Sequence, residues 1–200
     1  MKKNNAFQKF LKSMRFRLIL LCLIVGILPC LVLRAGFLKA YEDQAASTRS
    51  IAIISQAKIL ADQIAANDYI NKQNTESITV QLNQLSNIYD GRVMLIDSAF
   101  RIVADTYGLD ETKTIISEEV VQSLSGKEIS KYDKESRYLE MTLPIEAANS
   151  TEVIGVMLVS VSMDSVLHDR DAVGRNAAIL TLIIGVLILA FAIFASGRLV

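Results

Sequence analysis

Two uninterrupted apolar runs set the organisation of the chain, at residues 18–33 and 177–195. Neither contains a charged side chain, and Arg17 and Arg34 bracket the first as Arg175 and Arg198 bracket the second. As a helix the first run spans about 24 Å, short of a hydrocarbon core of about 30 Å, a gap that arginine stems close by extending to the headgroups. The second run, with 19 uncharged residues, is long enough by itself. At the possible cut sites, Leu33, Arg34 and Ala35 or Leu38, Lys39 and Ala40, only one of the two small residues a signal peptide needs is present, and Pro29 breaks the lipid-attachment pattern suggested by Ile27, Leu28 and Cys30. The first run therefore reads as an uncleaved anchor.

Between the runs the period of the apolar positions changes. Residues 39–67 contain neither Gly nor Pro and predict one long helix continuing outward from the first span. Ala46, Ser50, Ile53, Ala57, Leu60 and Ile64 recur at alternating steps of four and three, the seam of a two-stranded coiled coil. Ile51, Ile54, Ala61 and Ala65 form a second stripe. One stripe can cover the domain's own sheet while the other meets a twin subunit, and the expectation is a homodimer through Ala46, Ile53, Ala57, Leu60 and Ile64. A second helix is predicted around Ile78, Leu82, Leu85 and Ile88, with Asn74 as N-cap and Glu76 in the first turn.

Strand patterns follow. Residues 92–97 and 100–105 read as a hairpin around Ser98 and Ala99. Ser117, Glu118 and Glu119 open a short helix carrying Val120, Val121 and Leu124, and Gly126 suits its end. Residues 128–132 and 137–146 flank a polar turn, and in the second Leu139, Met141 and Leu143 alternate with Tyr138, Glu140 and Thr142. Residues 152–163, nearly continuous in Val, Ile, Leu and Met, predict a central strand. The expected fold class is α+β: a five-stranded antiparallel sheet with a long N-terminal helix, between two transmembrane helices.

Charge then orients the chain. The formal net charge is zero, yet all 21 acidic residues fall within 34–175, which carries 14 basic ones and a net charge of −7. Lys2, Lys3, Lys9, Lys12, Arg15 and Arg17 precede the first span without an acidic residue, so the positive-inside bias puts the N-terminus in the cytoplasm and the domain outside. The expected boundaries are a cytoplasmic basic segment at 1–17, a first span at 18–38, an extracytoplasmic domain at 39–170 and a second span at 176–196. A cytoplasmic linker begins at 197–200. The expected localisation is a cell membrane, with lipid as a partner. Cys22 and Cys30 both lie in the first span, leaving the outer domain without a disulfide, and a lone His168 supplies no metal cluster. No phosphate-binding glycine loop or catalytic constellation is present, and nothing points to nucleic acid.

The run from Tyr89 through Asp90, Gly91 and Arg92 to Asp97, continuing to Thr106, resembles the first hairpin of the extracytoplasmic PAS-like, or Cache-type, sensors of bacterial receptors. Residues 141–145 and 153–158 resemble the last two strands of that domain. The likeness is strongest to membrane-bound sensor histidine kinases of Gram-positive bacteria, including those that monitor the cell wall. It implies a transmembrane receptor whose second span leads into a HAMP linker, foreshadowed by Gly197, Arg198, Leu199 and Val200, and then into a kinase using ATP and Mg. A cytoplasmic response regulator would be its partner. His168, outside the membrane on this reading, is not the phospho-accepting histidine. Other outputs fit the same receptor: a chemotaxis receptor, a cyclic-dinucleotide enzyme, or a membrane-anchored protein-binding module. In such sensors the pocket lies over the sheet and under the loop between the second and third strands, here residues 106–127. Arg101, Asp105, Tyr107, Arg137 and Tyr138 are the candidate contacts to a small external ligand.

Overall fold

The computed structural model describes residues 14–72 and 76–199. They fall into two compact units, one formed by Gln44–Val166 and the other by the segments on either side of it.

Helix α1 runs from Met14 to Ala66 and helix α5 from Asp164 to Leu199, and each contains one of the apolar runs. Both are long and apolar enough to cross a membrane. Leu21, Val25, Val32 and Leu33 on α1 and Leu182, Leu187, Phe191 and Phe194 on α5 are all exposed. Water would not tolerate so continuous an apolar surface, whereas lipid covers it. Within this unit the two helices touch at small residues. A Cβ at Gly26 would collide with Ile188 Cδ1, and one at Gly185 would rest 3.6 Å from Ile27 Cδ1. Pro29 lies inside α1, and both cysteines are free there.

The other unit begins with the outer part of α1, followed by short α2 (Tyr69–Lys72) and α3 (Glu76–Tyr89). The predicted N-cap, Asn74, lies outside the described residues. Strands β1 (Gly91–Asp97) and β2 (Ile102–Asp105) follow, then α4 (Glu118–Leu124), and finally β3 (Ile129–Asp133), β4 (Tyr138–Glu146) and β5 (Val153–Ser162). They form one antiparallel sheet in the order β2-β1-β5-β4-β3, with β5 central as its apolar run predicts. Residues 112–115 run along β2, where Thr112 N donates to Ile102 O and Ile115 N to Phe100 O, so this edge is covered.

The hairpin departs from the two-residue turn expected at Ser98 and Ala99. Phe100 takes a left-handed φ of 62°, and the Asp97 carboxylate accepts from Ala99 N and Arg101 N, giving a three-residue loop with β2 starting two residues late. The other caps follow the sequence: Ser117 Oγ accepts from Val120 N, and Gly126 sits at φ 86° after α4.

The sheet separates two apolar clusters. On one face Val93, Leu95, Leu139, Met141, Leu143, Met157, Val159 and Val161 pack against α1 and α3. On the other, Met94, Ile96, Ile102, Val156 and Leu158 meet Val120 of α4. The first cluster corrects the expected dimer seam. Ala46, Ile53, Ala57, Leu60 and Ile64 belong to it, with Ile53, Ala57 and Ile64 fully buried and Ser50 Oγ hydrogen-bonded to Ser130 Oγ at 2.7 Å. A 3–4 spacing specifies one apolar face and not what it packs against, and here it packs against the domain's own sheet.

Candidate functional site

Alternation along the strands sends Arg92 and Met94 of β1, Glu140 and Thr142 of β4, and Leu158 and Ser160 of β5 to the face that α4 partly covers. Register aligns them in two rows: Arg92, Ser160 and Glu140 in one, and Met94, Leu158, Thr142 and Ile129 in the next. Above these rows Ile115, Ser117 and Glu119 from the loop and the start of α4 complete a cavity of about 240 Å³. Thr142 Oγ1 donates to Glu119 O at 3.4 Å, tying this roof to the sheet.

Arg92 closes the β1 end of the cavity. Its Nε and Nη2 donate to the two Asp105 carboxylate oxygens at 2.8 and 2.5 Å, and Nη2 also reaches Asp110 Oδ2 at 2.7 Å. The guanidinium carbon lies 5.8 Å from the Tyr107 ring centre. Asp105, whose side chain is 0% exposed, further accepts from the backbone N–H groups of Tyr107, Leu109 and Asp110. This bidentate pair with Arg92 holds the Asp105 carboxyl well below the usual carboxylate range, the backbone donors adding to the effect and burial opposing it. Arg92 is held correspondingly more firmly in its charged form by Asp105. One carboxylate thus folds the loop after β2 and immobilises an arginine.

The β3 end is electrically different. Lys131 Nζ donates to Glu119 Oε1 at 3.0 Å. A bond from its own backbone N–H, followed by that from Lys131, lowers the Glu119 carboxyl from its ordinary value, and Glu119 raises the lysine. Glu140 stands opposite Lys131 in the strand register and adds to the field that raises it, while its carboxylate accepts no hydrogen bond among the described residues.

Of the five residues expected to meet a ligand, two converge here. Asp105 and Tyr107 gather around Arg92, although neither lines the cavity itself. Arg101 lies elsewhere, paired with Asp97 at 2.9 Å beside a second recess of about 570 Å³ at the β1–β2 turn. That recess is larger, but its charged pair is occupied in shaping the turn. Arg137 occupies the β3–β4 turn at φ 61°, 3.5 Å from Asp164, and the adjoining Tyr138 begins β4. The sequence reading missed Arg92, Glu119, Glu140 and Ser160. Alternation already placed Glu140 and Thr142 on the face opposite Leu139 and Met141, but no local signal says which residues return over that face.

No protein-family profile matches the chain, and no curated protein sequence matches it. Several solved structures resemble it. The sensor domain of E. coli DcuS aligns with a TM-score of 0.51 at 16% identity, covering 64% of this chain and 96% of that one. An extracellular ligand binding receptor from Desulfohalobium retbaense aligns with a TM-score of 0.52 at 13% identity, over 66% of this chain and 26% of that one. The sensor domain of the V. cholerae histidine kinase DctB aligns with a TM-score of 0.43 at 15% identity, over 66% and 58%. The chain thus spans little more than half of the DctB domain and about a quarter of the Desulfohalobium receptor. The unit between the two apolar segments has the PAS-like fold of the DcuS sensor domain.

Proposed function

We propose that this chain is the receptor region of a bacterial transmembrane signalling protein, with its N-terminus in the cytoplasm and the sheet-bearing unit outside. The observation that carries the reading is that α1 and α5 each join a lipid-facing apolar segment to a sensor-type domain within one unbroken helix. A small molecule entering the cavity beside Arg92 and Glu140 alters one face of a sheet whose other face holds the outer part of α1. Helix displacements of about 1–2 Å are sufficient to pass such a change onward.

The receptor acts as a homodimer, with lipid around its spans and a cytoplasmic output that phosphorylates a histidine from ATP and Mg before passing the group to a response regulator. The dimer contact uses the outer surface of α1 and α3, where exposed Ile59 and Ile88 border one groove. The kinase output follows the resemblance carried by the sequence of the first hairpin and the last two strands, and a chemoreceptor output is the alternative. The coding sequence after Val200 distinguishes them. A HAMP segment, a histidine-bearing dimerisation helix and an ATP-binding domain are expected; a chemotaxis signalling bundle or a cyclic-dinucleotide domain would replace the kinase and leave the receptor.

A further inference from the structure

The cavity's charge specifies what it accepts, an inference that rests on the receptor reading above. Of the charged residues only Arg92, Glu119 and Glu140 line it, and Asp105, Asp110, Lys113 and Lys131 stand behind them as their partners or partners' partners. Arg92 is not available to an incoming anion, because withdrawing it would leave Asp105 buried without its counter-ion. Asp110 is shared between Arg92 and Lys113 Nζ, and Lys131 is engaged by Glu119. Glu140 lines the cavity as an exposed residue; it feels the charge of Lys131 across the register, but that lysine's hydrogen bond goes to Glu119. Beside it lie the hydroxyl residues Ser160 and Thr142, and the floor of Met94, Leu158 and Ile129 is apolar.

We infer that this cavity binds a small organic cation, a primary amine whose ammonium group meets Glu140 and whose apolar body lies over Met94, Leu158 and Ile129. An ammonium group offers three donors to Glu140 and the neighbouring hydroxyls, whereas a carboxylate would be repelled by Glu140 and Glu119. The short apolar floor fits a chain of about four carbons, since two sheet rows along a strand are about 7 Å apart.

The test uses the full chain in lipid nanodiscs and three probes of similar shape, butylammonium, butanol and butanoate, each titrated at neutral pH by ligand-observed NMR. Butylammonium is expected to bind, butanoate to bind at least tenfold more weakly, and Glu140→Gln to weaken butylammonium at least tenfold. Glu135→Gln at the exposed β3–β4 turn removes the same charge outside the cavity and leaves binding unchanged. Preferred binding of butanoate or butanol, or butylammonium binding indifferent to Glu140→Gln, overturns the cation assignment while leaving a ligand-binding receptor in place. Binding of none of the three overturns the assignment of this cavity as the sensing site as well.

Discussion

Arg92 and Asp105 are separated by 13 positions in the sequence and joined by two hydrogen bonds in the fold. Removing the charge of Asp105 leaves a guanidinium only 21% exposed, beside a loop that has lost its organising acceptor. Breaking a buried pair costs about 3–5 kcal/mol, and the partial exposure of Arg92 places Asp105→Asn near the lower bound, at about 3 kcal/mol. Pulse proteolysis of the intact chain across a urea series measures this. The carboxyl is depressed in the folded state, so its contribution is complete above its unfolded value of about 3.9 and is lost as pH falls through its lower folded value. The gap between wild type and Asp105→Asn is therefore expected to be constant from pH 7 to 5 and to narrow below about pH 4.

At the scale of elements, α1 shows how one periodicity serves different partners. Ile53 is fully buried under the sheet while Ile51, two residues away, is 66% exposed. Ile53→Ala deletes core volume and is expected to destabilise the outer domain by about 2–5 kcal/mol, again by pulse proteolysis, without changing association. Ile59→Arg places a charge on the outer groove and is expected to leave stability nearly unchanged while abolishing the homodimer, measured by cross-linking in nanodiscs. A dimer that survives Ile59→Arg but dissociates with Ile53→Ala would return the contact to the inner stripe.

Over the whole molecule, the charge asymmetry of the sequence predicts topology. In intact protoplasts a membrane-impermeant maleimide is expected to label Ser136→Cys at the β3–β4 turn and to reach Lys9→Cys only after permeabilisation, in a background lacking Cys22 and Cys30. The reverse pattern would put the sensor-type unit in the cytoplasm and end the external-receptor reading.

Local patterns were sufficient for much of this architecture. Length and the absence of charge identified both long apolar helices. Alternation identified the strands, including β5 at the centre, and Ser117 and Gly126 marked the ends of α4. These properties depend on neighbours within a few residues, where side-chain direction and hydrogen-bonding capacity are local. Tertiary structure decided what covers each face and which charges meet. It buried the Ala46 to Ile64 stripe against the sheet, because an apolar helix face takes whichever apolar surface the fold brings to it. It also set Glu140, still exposed, beside a cavity by folding the 106–117 loop and α4 over the sheet. Arg92, Asp105 and Glu140 acquire their chemistry from strand order and register, and no interval along the chain encodes that Arg92 lies across β5 from Glu140.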